Sequence, residues 1–222
     1  MNLPSQLQIG GKLLTANLKQ AWRDKTDWIT ACMFAITALL LYSFAFNLTT
    51  GLVSSLLPGV IWTVFLFSGI FATGQSFQQD RQNGILDALK ISPIHSMTIY
   101  IAKTLANILM LLLIEFGLLL GATILFSEPL FTPELLIIVT IGTIGYTALS
   151  TLLSAINLDR NNGGLLLPVL ALPLLVPLLI ASVEATSASL QQEASTTPWI
   201  LLLSLFTIWS TAIATLMFPL AD

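Results

Sequence analysis

Apolar residues fall in six long blocks, near 29–48, 52–74, 98–126, 134–157, 165–183 and 199–218, separated by short polar stretches. A helix needs roughly 20 residues to cross a hydrocarbon core of about 30 Å, and each block comes close to that length or exceeds it. The pattern predicts six transmembrane helices with short connections, an all-α integral membrane protein. Residues 1–222 read as a single transmembrane domain, one helical bundle with no soluble domain between spans.

Two polar stretches carry patterns of their own. In residues 5–27, Ile9, Leu13, Leu14, Leu18, Ala21 and Trp22 recur at helical spacing, while Lys12, Lys19 and Arg23 take another side. That predicts an N-terminal interfacial helix, its apolar face in the bilayer and its cations toward anionic headgroups. Whether it is only an anchor or also touches a partner is open. Between the second and third spans, Gln75 to Lys103 forms a polar island. Gly84 permits a turn. Ile85, Leu86 and Leu89 then share one helical face and Asp87 and Lys90 the other. Pro93 disfavours helix at Ser92 and ends the element. The prediction is a short amphipathic helix at the membrane surface.

Composition strengthens the class and charge adds an orientation. Hydrophobic residues make up 55% of the chain and charged ones 9%, against about 25% charged in soluble domains. All eight Lys and Arg lie in the N-terminal segment (Lys12, Lys19, Arg23, Lys25), the island (Arg81, Lys90, Lys103) or the loop at Arg160. Cytoplasmic loops retain such residues, so both termini, the island and Arg160 are expected on the cytoplasmic side. Glu128, Glu134, Glu184 and Glu193 then fall on the far side. Residues 1–28 lack the apolar core and cleavage site of a signal peptide, so the first span is expected to be retained. Cys32 lies within that span and does not report a redox compartment.

Within the spans, Gly69 and Gly74 read as sites of close helix contact, and Gly117 and Gly121 form a GxxxG pair. The fourth span is rich in Gly142, Thr143, Gly145, Thr147, Ser150, Thr151 and Ser154, a packing face by composition. Pro168, Pro173 and Pro177 predict a bent or broken fifth helix, each interior proline removing a backbone hydrogen bond. Residues 184–198 read as the longest far-side loop, with scope for a short amphipathic helix.

Candidate chemistry is sparse. No GxxxxGK[ST] occurs, so ATP hydrolysis through a P-loop is excluded and the chain is not expected to be an enzyme. One histidine and one cysteine allow no protein-only zinc or haem cage in a single chain, so neither a metal site nor a cofactor held by this chain alone is expected. His95 reads as a solvated surface histidine, and nothing around it suggests a hydrolase. Glu115 is the deep ionisable residue: twelve residues beyond Lys103, at 1.5 Å each, place it about 18 Å into the membrane. Such a carboxyl should be neutral, bonded to another span or facing a cavity, and it serves either substrate passage and coupling or an interhelical clamp. An intramembrane enzyme built on Glu115 lacks a second catalytic group.

The order Asp80-Arg81-x-x-Gly84-Ile85-Leu86-Asp87-Ala88-Leu89-x-x-Ser92-Pro93, with Lys103 ten residues after the proline, resembles the cytoplasmic loop of the cytochrome c maturation protein B family (CcmB, haem exporter protein B). The resemblance extends to chain length, six spans and the basic N-terminal segment. It implies a permease subunit of an ABC transporter complex in the bacterial cell inner membrane, acting in cytochrome c-type biogenesis. Energy would come from a separate CcmA-type ATPase, with Asp80, Gly84, Ile85, Leu86, Asp87, Leu89, Ser92 and Pro93 as the ATPase-coupling residues. Other implied partners are the haem-handling subunits CcmC and CcmD, the periplasmic haem chaperone CcmE, membrane lipids and a second permease copy, with no nucleic acid. Haem would be a pathway substrate, exported or released on the loaded chaperone; the chain lacks the family partners' tryptophan-rich haem-handling segment. The alternative is a general ABC-2-type permease for lipid, polysaccharide or drug, whose loop is similar.

Overall fold

The computed structural model describes residues 3–23, 25–46, 53–73, 80, 94–156, 166–191 and 195–218. Among them the ordered elements are seven helices: α1 Leu3–Arg23, α2 Lys25–Phe46, α3 Val53–Thr73, α4 Ser96–Phe126, α5 Pro133–Ile156, α6 Leu166–Gln191 and α7 Thr197–Met217. The last six are long and apolar enough to cross a membrane, so the all-α, six-span reading stands. Gln20, Ala21 and Trp22 lie in the interfacial helix expected at the N-terminus, and that helix is α1. It packs along α4, so part of its apolar face meets protein rather than lipid.

Local chemistry explains several helix ends. α5 begins at Thr132-Pro133-Glu134: the Thr132 hydroxyl accepts from Leu135 N at 3.3 Å, proline takes a first-turn position where no N–H bond is lost, and Glu134 faces the positive end of the dipole. α4 ends with Ser127 in the left-handed region at φ 56, its N–H bonded to the Thr123 carbonyl at 3.0 Å, an αL cap.

α6 narrows one expectation and corrects another. It is one continuous helix through Pro173 and Pro177, not a broken one. Pro168 falls in its first turn, where the missing N–H has no helical partner to lose. Ala171, Leu175 and Leu178 are fully buried around the two interior prolines, and this packing holds the segment helical where bonds are missing. The helix also runs on to Gln191, so 184–191 is not loop. Ala185, Thr186 and Ala188 are buried there; a Glu-, Ala-, Ser- and Gln-rich stretch is polar by hydropathy yet compatible with helix.

The centre of the bundle is α5, packed against α3, α4, α6 and α7. Its small residues do what their composition suggested: Thr143, Thr147, Ser150 and Thr151 are wholly buried. A Cβ on Gly145 would stand 2.6 Å from Thr207 Oγ1 and one on Gly142 would stand 2.5 Å from the Trp62 ring, so α7 and α3 approach where only glycine fits. Several buried hydroxyls bond back to their own helix, as Thr147 does to the Thr143 carbonyl at 2.7 Å and Thr73 to the Gly69 carbonyl at 2.8 Å. A hydroxyl bonded in this way needs no water inside a membrane. The outward residues are apolar, with Ile124 77% and Leu216 73% exposed, a surface suited to lipid.

Candidate functional site

Polar chemistry collects at two levels. The first is where α4 begins. His95 precedes α4 in an extended conformation and is exposed, with its carbonyl accepting from Thr98 N at 2.8 Å. Two turns further on, Lys103 points inward and meets Asp80: Nζ to Oδ2 is 2.5 Å, with Lys103 6% and Asp80 4% exposed. Gln20 of α1 donates from Nε2 to Asp80 Oδ1 at 3.0 Å. One turn deeper, Asn107 donates from Nδ2 to Thr151 Oγ1 of α5 at 3.0 Å; nearer the start of α4, Tyr100 donates to the Ala148 carbonyl at 2.9 Å. A charged pair in this setting is retained only with its partners close, because an isolated ion would carry a heavy desolvation cost.

The second level is Glu115, 4% exposed. Thr143 Oγ1 of α5 lies 2.6 Å from Glu115 Oε2 and 2.8 Å from the Val139 carbonyl. A hydroxyl carries one proton and two lone pairs, so both contacts are made at once when the carboxyl is protonated and donates to Oγ1. Beside Glu115 a cavity of about 10 Å³ is bordered by Trp62, Phe65 and Val139, room for about one water molecule. Trp62 crosses to α6, donating from Nε1 to Thr186 Oγ1 at 2.9 Å. In this conformation the surroundings of Glu115 are a packed junction of α3, α4, α5 and α6.

Glu115→Gln is expected to preserve the junction, since the amide donates to Thr143 as a protonated carboxyl does. Glu115→Leu removes a bond of about 0.6–1.7 kcal/mol, the range for interhelical hydrogen bonds in membranes, and should lower the unfolding midpoint by a few degrees in detergent. An unchanged midpoint in Glu115→Leu would remove the clamp role. Loss of activity in Glu115→Gln at normal protein level would assign a role to the carboxyl itself.

Of the residues read from sequence as a site, Asp80 and Glu115 lie among those described, about 35 positions apart and on different levels. Gly84, Ile85, Leu86, Asp87, Leu89, Ser92 and Pro93 lie outside the described residues. The structure adds Gln20, Thr143, Asn107, Trp62 and Thr186. A signal existed for Lys103: a lysine inside the first turns of a span implies an acidic partner, but Asp87 and Glu115 are nearer to it in sequence than Asp80. No comparable signal marked Gln20. The GxxxG pair is not a two-residue seam, because a Cβ on Gly117 would meet nothing within 4 Å while one on Gly121 would meet Leu39 at 3.2 Å. Both glycines line an apolar groove of about 220 Å³ between α2 and α4 that also includes Cys32. Among the described residues no three His, Cys, Asp or Glu side chains group closely enough to hold a metal ion.

Residues 9–221 match the family model described as CcmB protein. The chain is 27% identical over 219 residues to heme exporter protein B of Pseudomonas aeruginosa, covering 94% of this chain and 92% of that one. It is 30% identical over 178 residues to the protein of the same name from Rhodobacter capsulatus, covering 78% and 79%. With that of Escherichia coli K12 the identity is 26% over 181 residues, covering 80% and 81%.

Proposed function

The chain belongs to the CcmB protein family, and from that premise we propose that it is the permease subunit of an ABC-type haem exporter complex serving cytochrome c biogenesis. The observation that carries this is the match over residues 9–221, supported by relatives named heme exporter protein B at nearly full length. The chain itself is a transporter subunit and not a catalyst. Its ATPase is a separate CcmA-type subunit, with CcmC and CcmD as haem-handling partners and CcmE as the periplasmic acceptor. Haem is the cargo of the pathway, exported or released on the loaded chaperone. The complex sits in the bacterial inner membrane with two permease copies and with both termini of each copy in the cytoplasm.

The residue-level proposal places the ATPase contact on the stretch from Asp80 to Pro93. Its apolar side, Ile85, Leu86 and Leu89, rests on the ATPase or the bundle. Closure of the nucleotide sites then shifts the spans that the stretch joins, α3 and α4, as a rigid-body change whose contacts differ between the two states. The six spans and the buried Asp80–Lys103 pair support this reading, because they tie the stretch to the foot of α4.

The test is removal of the chain from its host. Covalent haem on a reporter cytochrome c is expected to disappear and to return when the intact chain is supplied, and the purified complex should contain an ATPase. Normal cytochrome c maturation without the chain would overturn the proposal. Orientation is checked in the same cells by a membrane-impermeant thiol reagent, which should label Gln191→Cys and spare Gln79→Cys.

A further inference from the structure

Asp80 uses both oxygens of its carboxylate on different helices: Oδ2 on Lys103 of α4 at 2.5 Å and Oδ1 on Gln20 of α1 at 3.0 Å. Gln20 and Lys103 border a cleft of about 50 Å³ to which Asn17 of α1, Asp27 of α2, Thr73 of α3 and Asn107 of α4 also contribute. Four helices thus bring a polar group to one level. A buried ion pair adds little net stability, since desolvation offsets most of its attraction; its best-attested use is to specify geometry. Meanwhile α1 has exposed cations, Lys12, Lys19 and Arg23, sufficient for holding a helix at a headgroup surface. A membrane anchor has no need of an amide on a buried carboxylate 60 residues away.

We propose that Gln20 and Lys103 are positioning residues that fasten Asp80 to α1 and α4 together, which makes the N-terminal helix a third arm of the coupling unit. The consequence rests on the coupling role proposed above; the three-way contact does not. Geometry assigns each arm its part. Lys103 fixes the charge and Gln20 fixes the direction, because one carboxylate oxygen is held from each side. A displacement of Asp80 is therefore passed to α1 and to α4, and α1 carries it along the membrane surface.

The experiment uses the whole chain in its complex, with Cys32→Ser and a reporter Ala21→Cys on α1, which borders the cleft. Lys103→Met should raise the rate at which a thiol reagent labels the reporter by about tenfold, since an acid left buried and unpaired drives the contact apart. Gln20→Leu should raise it less. Both should lower covalent haem on the reporter cytochrome at unchanged protein level. The swap Asp80→Lys with Lys103→Asp should restore both readouts, because the charges meet again and the Gln20 amide presents its oxygen in place of its nitrogen. In an Asp80→Ala background, Gln20→Leu should add nothing.

A swap that accumulates normally yet stays at the single-variant level overturns the proposal. So does a Gln20→Leu effect of equal size without Asp80. Altered labelling with unaltered haem attachment overturns the third-arm role while leaving the contact. If the intact complex proves to contain no ATPase, it is the functional reading that falls, and the labelling rates still decide the contact.

Discussion

Replacing Leu86 and Leu89 together with aspartate is expected to abolish both copurification of the ATPase and haem attachment to a reporter cytochrome c, while the six spans still insert. Insertion depends on the apolar runs elsewhere in the chain, which the change leaves intact. At helical spacing the two leucines would share one face of the stretch between Gly84 and Pro93, in a chain whose sequence has no P-loop. Anchors of this kind contribute about 2–4 kcal/mol each at an interface, and a buried aspartate adds a desolvation cost of its own. Loss of one anchor alone corresponds to about 30- to 1000-fold weaker binding. Ser92→Ala, which leaves the apolar face unchanged, should behave as the intact chain. Copurification and haem attachment both unchanged in the double variant would rule out coupling through this face. Loss of the ATPase with normal haem attachment would mean that the contact is real and serves another cargo.

That experiment reaches a stretch whose pattern is clear from sequence alone, and the same pattern shows where sequence reading stops. Span length and hydropathy are local properties, so α2 to α7 were legible, as was the protein-facing side of α5, whose run of Gly, Ser and Thr suits close approach. What lies opposite a given face is not local. The apolar side of α1 fits lipid and protein equally well, and hydropathy cannot distinguish them, so its packing on α4 was not readable. The spacing of Gly117 and Gly121 permits a close neighbour without supplying one. Residues 184–191 look like loop on a polarity scale, but Thr186 is polar because it receives the Trp62 indole N–H. The depth of Glu115 followed from counting residues. Its partner Thr143 did not, because any hydroxyl on a neighbouring span would have served. Asp80 and Lys103 were both present in the motif, and only the fold brought them into one ion pair with Gln20 between helices.

Gly142→Val is expected to be strongly damaging, and Gly117→Val, the same substitution on α4, nearly silent. A Cβ at 142 would lie 2.5 Å from Trp62 Cη2 and 2.9 Å from Cζ3, well inside van der Waals contact. The obstructing group is a rigid ring, not the end of a flexible chain. It is 2% exposed, meets Phe65 edge-on at 5.2 Å, and is held by its N–H bond to Thr186 at 2.9 Å. The ring cannot move aside without losing that bond. Overpacking costs about 1–3 kcal/mol, and an indole N–H left buried without an acceptor about 1–3 more. The combined loss of about 2–6 kcal/mol is a large part of the roughly 5–15 kcal/mol by which typical folded proteins are stable. The damage should also spread, because Thr143, the next residue, carries the contact to Glu115. At Gly117 a Cβ meets open space, and valine is no worse a helix former than glycine. Unfolding midpoints of the two variants in detergent decide the matter. A Gly142→Val chain that unfolds with the wild type would mean that α3 does not press on α5 through Trp62. Equal losses in both variants would trace the effect to valine in a span, and not to the ring.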